Sequence, residues 1–287
     1  MLLRTFEAVI RAGSFSGAAR ALACVQSNIT ARIRRLEGHY GQPLFDRGKG
    51  GASLTPLGER LHAHAVDLLA RLDAVERDML DASGAAAGLR LGAMETTAAG
   101  RLPRLLAALR AAHPAAPVSL AAGPTGELLA DVWARRLDAA LVAGPVDTDR
   151  FRGVEAFRER LVLVRPVEGA AGPLLAFRRS CSYRGAAEAW LRATGRADTE
   201  IVELGTLDGM IGCVEAGMGI AVLPEQVVAP RAGPGLAVDP LPDAIADTVT
   251  HLVWRLDHRP SRVHETLVGL IAGQAPTGAP CASRPAT

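Results

Sequence analysis

Apolar positions in the first part of the chain recur at helical spacing in three short runs. Leu3, Phe6, Val9 and Ile10 mark a helix over 2–12 that Gly13 ends. Ser14 and Ser16 stand ready to cap a second helix from about Gly17 to Ala23, whose Ala18, Ala19 and Ala21 let a neighbour approach closely. The third run, CVQSNITARIRRLE (24–37), places Ile29, Ile33 and Leu36 on one face; Asn28, Thr30, Ala31, Arg32, Arg34 and Arg35 occupy the rest. Gln26 and Ser27 are expected to cap it, and Gly41 to end it. Three short helices with a tight connection between the last two predict a helix-turn-helix, whose later helix enters a DNA groove. PLFDRGKGGASLTP then reads as two extended pieces around a glycine-rich tip carrying Arg47 and Lys49, a two-stranded wing.

From Pro56 the pattern becomes one long helix, with Leu57, Leu61, Ala65, Leu68, Leu69, Leu72, Val75 and Leu80 on a seam of nearly three-and-a-half-residue spacing. Such a seam suits a dimerising helix; the alternative is a core helix of a monomer. SGAAAG (83–88) reads as a flexible linker. Beyond it, strands at 89–94, 117–122 and 138–143 alternate with helices at 98–112 and 125–136. A second run has strands at 161–165, 174–177, 199–204 and 219–223 and helices at 184–194 and 206–216. A late strand at 248–255 and a closing helix at 260–272 follow. The alternation predicts parallel sheets covered by helices on both faces, in two α/β lobes. The tail from Gln274, rich in Pro, Ala, Gly, Ser and Thr, is expected to be disordered.

Charge sharpens this division. The 287 residues carry a formal charge of only +2, yet residues 1–55 hold eight basic side chains against three acidic ones. An anionic partner is therefore expected for the N-terminal segment alone. On the third helix, Gln26, Ser27, Asn28, Thr30 and Arg34 suit base edges, and Arg32, Arg35, Arg47 and Lys49 suit phosphates; a solvated surface helix is the plain alternative. No apolar run of membrane-spanning length and no cleavable leader is read, which makes a cytoplasmic protein with no membrane partner the expectation. Four scattered cysteines, Cys24, Cys181, Cys213 and Cys281, have no metal-ligand spacing and suit a reducing compartment. The chain lacks a GxSxG elbow, a P-loop, GxGxxG and HExxH, and its seven histidines have no partner spacing, so no enzyme, metal or cofactor is expected.

Phe6 and Val9, GSFSGAARAL (13–22), VQSNITARIRRLE (25–37), PLFDR (43–47) and LTPLG (54–58), in this order, resemble the N-terminal domain of LysR-type transcriptional regulators. Two departures stand out: the first helix begins about three residues later than the family pattern, and Ala31 replaces a residue that is often polar or basic there. The resemblance implies a winged helix-turn-helix domain over 1–57 and a linker and dimerisation helix with a hinge over 58–88. It further implies a two-lobed, periplasmic-binding-protein-like α/β effector domain over 89–273, with lobe I at 89–160 and 246–273 and lobe II at 161–245. Double-stranded operator DNA, a small-molecule effector, a homotetramer built from dimers, and RNA polymerase are the partners it implies.

Ligands of such sheets gather where strand ends meet helix starts. Glu95, Thr96 and Thr97, then Gly123, Pro124 and Thr125, then Gly144 and Pro145 lie at such ends in the first lobe; Ser180 to Arg184, including Cys181, Ser182 and Tyr183, and Thr206 to Asp208 lie there in the second. For any one hydroxyl the alternative is capping its own helix; the set is expected to line an interlobe cleft. METTAAGRLP, GPTG, AFRRSCSYR and GMIGCVEAGMGIAVLP are similar to a LysR subgroup that includes regulators of putrescine utilisation. Glu95 and Asp208 would suit an ammonium group, helix starts with Arg178 or Arg184 a carboxylate, and an amino acid both. Arg178, Arg179 and Arg184 around Cys181 are expected to lower its thiol pKa, which leaves a Cys181/Cys213 redox sensor as an alternative. A cytoplasmic solute-binding protein is the alternative from another class, with the basic first domain against it.

Overall fold

A computed structural model describes residues 1–48, 51–83, 88–168, 172–231, 233 and 235–273. Lys49, most of the 83–88 linker and the 274–287 tail lie outside these residues, as does the Arg47 side chain. The chain forms two compact units, Met1–Arg77 and Asp78–Thr287.

In the first unit, α1 (Leu2–Ala12) ends at Gly13, whose φ of 64° is left-handed. α2 (Phe15–Ala21) starts earlier than its spacing suggests, because Ser14 Oγ accepts from the Gly17 amide. α3 (Gln26–Tyr40) is closed by Gly41. Its N-cap is Val25, without a side-chain cap, so the expected capping by Gln26 and Ser27 does not occur. Ser16 is not a cap either: its hydroxyl donates to Gln26 Oε1 at 2.9 Å and ties α2 to α3. Phe6, Val9, Ala18, Ile29, Ile33 and Leu44 form the sealed core, with Phe45 packed against the rings of Phe6 and Phe15.

β1 (Phe45–Gly48) and β2 (Gly51–Leu54) pair antiparallel as the wing. α4 (Pro56–Ala82) follows at once. Thr55 Oγ1 accepts from the Gly58 amide and donates to the Pro43 carbonyl, stapling the start of α4 to the wing. A Cβ on Gly58 would lie 2.2 Å from the Leu44 carbonyl oxygen, so only glycine permits this approach. Leu57, Leu61 and Ala65 pack on the core, whereas Leu68, Leu72, Val75 and Met79 continue the same spacing and are exposed.

The second unit is built on one nine-stranded sheet. β3 (Leu89–Ala93), α5 (Glu95–Gly100), α6 (Leu102–Ala112), β4 (Val118–Ala122), α7 (Thr125–Trp133) and β5 (Ala139–Ala143) form the first lobe. The helix expected over 98–112 is two helices, parted at Arg101, with Pro103 in the first turn of α6. β6 (Phe151–Pro166) is a single 16-residue strand of which the sequence pattern revealed only the end. β7 (Leu174–Ala176), α8 (Ser182–Ala193), β8 (Ile201–Glu203), α9 (Leu207–Glu215), β9 (Ile220–Pro224), α10 (Glu225–Val228) and β10 (Leu236–Pro240) form the second lobe. α11 (Asp243–Ala246) leads into β11 (Asp247–Arg255), and α12 (Arg262–Ala272) closes the first lobe beside α6.

The strand order is β4-β3-β5-β11-β6-β9-β7-β8, with β10 also on β6. The all-parallel sheets expected from the alternation are thus corrected to a mixed sheet. β3 is parallel to β4 and β5, and β7 to β8 and β9, but β11 and β6 run antiparallel to their neighbours. β6 pairs with β11 as far as Arg160 and with β9 from Leu161. It therefore points the same way as β5 and against β9, so the carboxyl ends of the two parallel sets face each other across the gap it spans. Among the described residues no helix is long and apolar enough to cross a membrane.

Candidate nucleic-acid interface and ligand cavity

Burying Ile29, Ile33 and Leu36 fixes the rotation of α3 and turns Ser27, Ala31 and Arg34 directly outward, since they lie three and four residues apart on the opposite side. Gln26, Asn28 and Arg35 flank this stripe and are exposed. Thr30 and Arg32 are half-buried. Arg32 Nη1 lies 3.5 Å from Thr5 Oγ1 of α1. Gln26 retains its amide donors while its oxygen is held by Ser16. Exposed amide, hydroxyl and guanidinium groups thus occupy one side of a helix about as wide as a DNA major groove.

In the second unit the facing strand ends enclose a cavity of about 310 Å³. Met94, Glu95 and Thr96 enter it from α5 and its approach, and Ala122 to Pro124 with Glu127 from the β4–α7 turn and α7. Phe177, Arg178, Cys181 and Tyr183 enter before and within α8, and Leu204 to Thr206 before α9. The lobes touch on both sides of it. Ser182 Oγ donates to the Ala143 carbonyl and lies in hydrogen-bond contact with Thr125 Oγ1 at 3.0 Å, and the Gly126 amide reaches the Ser180 carbonyl. Gly144, at φ 93°, makes this closure possible, because a Cβ there would sit 3.0 Å from Ser182 Oγ. On the far side, Glu95 Oε1 accepts from the Leu207 amide at 2.8 Å, at the start of α9.

Of the residues expected here, Glu95, Thr96, Gly123, Pro124, Cys181, Tyr183 and Thr206 line the cavity. Thr125 and Ser182 stand behind its wall in the lobe-to-lobe contact, and Thr97 is fully buried away from it. Asp208 departs altogether. α9 buries Leu207, Met210, Ile211 and Val214, which swings Asp208 into solvent, where it pairs with Arg231 at 3.2 Å. The second carboxylate at the cavity is Glu127, opposite Arg178 at 3.7 Å. Its position in the first turn of α7, off the buried Thr125–Leu128–Val132 stripe, was the available signal.

Cys181 also differs from expectation: burial pushes its thiol pKa up, outweighing backbone amides and Arg184. Arg184 is committed to Glu188, Glu203 and the Phe177 carbonyl, and Arg178 faces Glu127. The thiol is therefore held neutral, not activated. Cys24, Cys181 and Cys213 are free thiols.

Behind the cavity, the Tyr183 hydroxyl donates to Glu159 Oε2 at 2.7 Å, and burial followed by the Glu159 charge pushes the phenol pKa well up. Thr250 Oγ1 donates to the same oxygen at 2.7 Å, and Gln226 Nε2 to Oε1. This buried carboxylate sits on β6 next to the point where the strand changes partners, and joins α8, α10 and β11. The sequence reading missed it, since a glutamate in an alternating strand reads as solvent-facing.

Residues 1–59 match the model of the bacterial regulatory helix-turn-helix proteins of the lysR family, and residues 82–276 match the LysR substrate binding domain. The chain is 36% identical to the HTH-type transcriptional regulator YusT of Bacillus subtilis strain 168, over 89% of both chains. It is 32% identical to the HTH-type transcriptional regulator SoxR of an Arthrobacter species, over 89% of this chain and 90% of that one. In fold it is similar to full-length CbnR in a crystal structure with its target DNA, at TM-score 0.71 and 20% identity, covering 96% of this chain and 99% of that one.

Proposed function

Since the chain belongs to the LysR family of DNA-binding transcriptional regulators with an effector-binding domain, we propose that its outward α3 stripe reads an operator and that its cavity answers to an amine or amino-acid metabolite. Ser27, Asn28, Arg34 and the Gln26 amide group would contact base edges; Arg35, Arg47 and Lys49 would contact phosphates. Ala31 adds no hydrogen bond, so specificity leans on its neighbours and on DNA deformation. The observation that carries the effector class is the charge inventory of the cavity: Glu95 and Glu127 beside Arg178, between the apolar walls of Met94, Phe177 and Leu204. The redox alternative has the neutral, buried Cys181 against it.

Gel-shift titration tests the DNA reading. Arg34→Ala should lower operator affinity by roughly 1–3 kcal/mol and relax base preference, whereas Arg35→Ala should weaken operator and random DNA alike and reduce the salt slope by about one. Equal binding of operator and random DNA by the intact chain would overturn specific reading. Screening amines and amino acids for a change in operator binding tests the effector class.

The seam of Leu68, Leu72, Val75 and Met79, four and three residues apart and exposed, is that of a helix which pairs with a second copy. Leu72→Asp should shift the sedimentation coefficient toward that of a smaller species; an unchanged value would remove α4 from the interface.

A further inference from the structure

We infer that the effector is an α-amino acid with an apolar side chain, whose ammonium is held by Glu127 and whose carboxylate is held by Arg178. This rests on the effector reading above and narrows it. Among the described residues three charged side chains line the cavity, and one is already held in place: Glu95 Oε1 accepts the Leu207 amide. Glu127 and Arg178 come from opposite lobes, 56% and 62% exposed, and meet at 3.7 Å, beyond hydrogen-bond distance. An open, loosely made ion pair of this kind contributes little and is exchanged at little cost. Glu127 Oε2 lies beside Gly123, another residue of the lining, 3.9 Å from where a Cβ would stand.

The chemistry of the exchange selects a zwitterion. A ligand carrying both charges on one carbon can separate the pair and satisfy each partner. A monoamine would leave Arg178 without its anion, and a simple carboxylate would leave Glu127 without its cation. A diamine fits less well still, because Arg178 would oppose the second ammonium. The other polar side chains of the lining are neutral: the Cys181 thiol and the Thr96 hydroxyl, with the Tyr183 hydroxyl given to Glu159 and Thr206 Oγ1 accepting from the Gly209 amide. Met94, Phe177, Leu204 and Pro124 are left for the side chain of the ligand. A cavity of about 310 Å³ is at the small end for ligand sites, as suits a single amino acid.

The test is calorimetric titration of the full chain with L-leucine, L-methionine and L-phenylalanine, each beside its decarboxylated amine and its deaminated acid. At least one amino acid should bind about tenfold or more tightly than both of its counterparts. Glu127→Gln should then remove the preference over the acid, and Arg178→Gln the preference over the amine, at unchanged melting temperature. Equal binding of an amine and its amino acid would overturn the inference but leave an amine effector standing. Binding of the acids alone would overturn both. Binding of none of the nine compounds would overturn the inference, and so would a preference for the amino acid that survives in both variants.

Discussion

The two units of this chain handle polar groups in opposite ways. In the first, the outward polar groups of α3, Ser27, Asn28, Arg34 and Arg35, stand in solvent, oriented by the burial of Ile29, Ile33 and Leu36 behind them. In the second, polar groups near the cavity are matched inside the protein: Glu95 to the Leu207 amide, Ser182 to Thr125, and Tyr183, Thr250 and Gln226 to Glu159. A surface that reads DNA needs donors free to meet a partner, so the scaffold supplies orientation alone. A site whose walls come from two lobes needs partners that hold the lobes together, and its free charges are few. Stability in the first unit should thus depend on shape, and in the second on satisfied polar groups.

The largest departure is expected at Glu159. Glu159→Ala strands three donors, each worth about 1–3 kcal/mol when buried without a partner. It should lower the stability of the second unit by roughly 3–5 kcal/mol and leave the first unchanged, as separate urea transitions would record. A loss below about 1 kcal/mol would erase the contrast. Next is His264, fully buried beside His258 at 3.1 Å and against the Trp254 ring. Burial, aided by His258, lowers its pKa from 6.5 to about 4. The folded unit keeps the ring neutral while the unfolded chain takes up a proton below 6.5. The contribution, of order 3 kcal/mol, is therefore complete at neutral pH and fades as pH falls from 6.5 toward 4. His264→Phe should flatten that slope in denaturant titrations at pH 7 and 5. Smallest is Gly58→Ala in the first unit, where the added methyl meets the Leu44 carbonyl. A loss of about 1–3 kcal/mol is expected, read from the melting of residues 1–77 and the operator affinity that follows it.

The same contrast governs what the sequence made readable. In the first unit each signal is local: Ser14 before α2, glycines at 13 and 41, and an apolar stripe in α3 that fixes the outward face within one stretch. The family resemblance and the two-lobed α/β class were legible for similar reasons, since motif order and alternation survive in a linear string. The cavity was less so, because its wall is assembled from segments between Met94 and Thr206. Which of them meet depends on β6 carrying the chain through both lobes, and only the apolar end of β6 stood out; Arg152, Glu155, Arg158 and Arg160 hid the rest. Asp208 was misplaced because a first-turn carboxylate faces wherever the buried stripe of its helix leaves it. In α9 the stripe leaves it toward Arg231, while in α7 it leaves Glu127 toward the other lobe.

The strand β6 also constrains how members of such a family can be recombined. Two halves joined by a loose linker can be swapped at the linker, but here one junction falls between Arg160 and Leu161, inside a strand hydrogen-bonded on both sides of the cut. A chimera taking its second lobe from a relative must inherit a matching register against β11 as well as β9, or it slips by a residue and turns each side chain to the wrong face. New ligand preferences in this scaffold are therefore more readily reached by changing side chains around an intact β6 than by trading whole lobes.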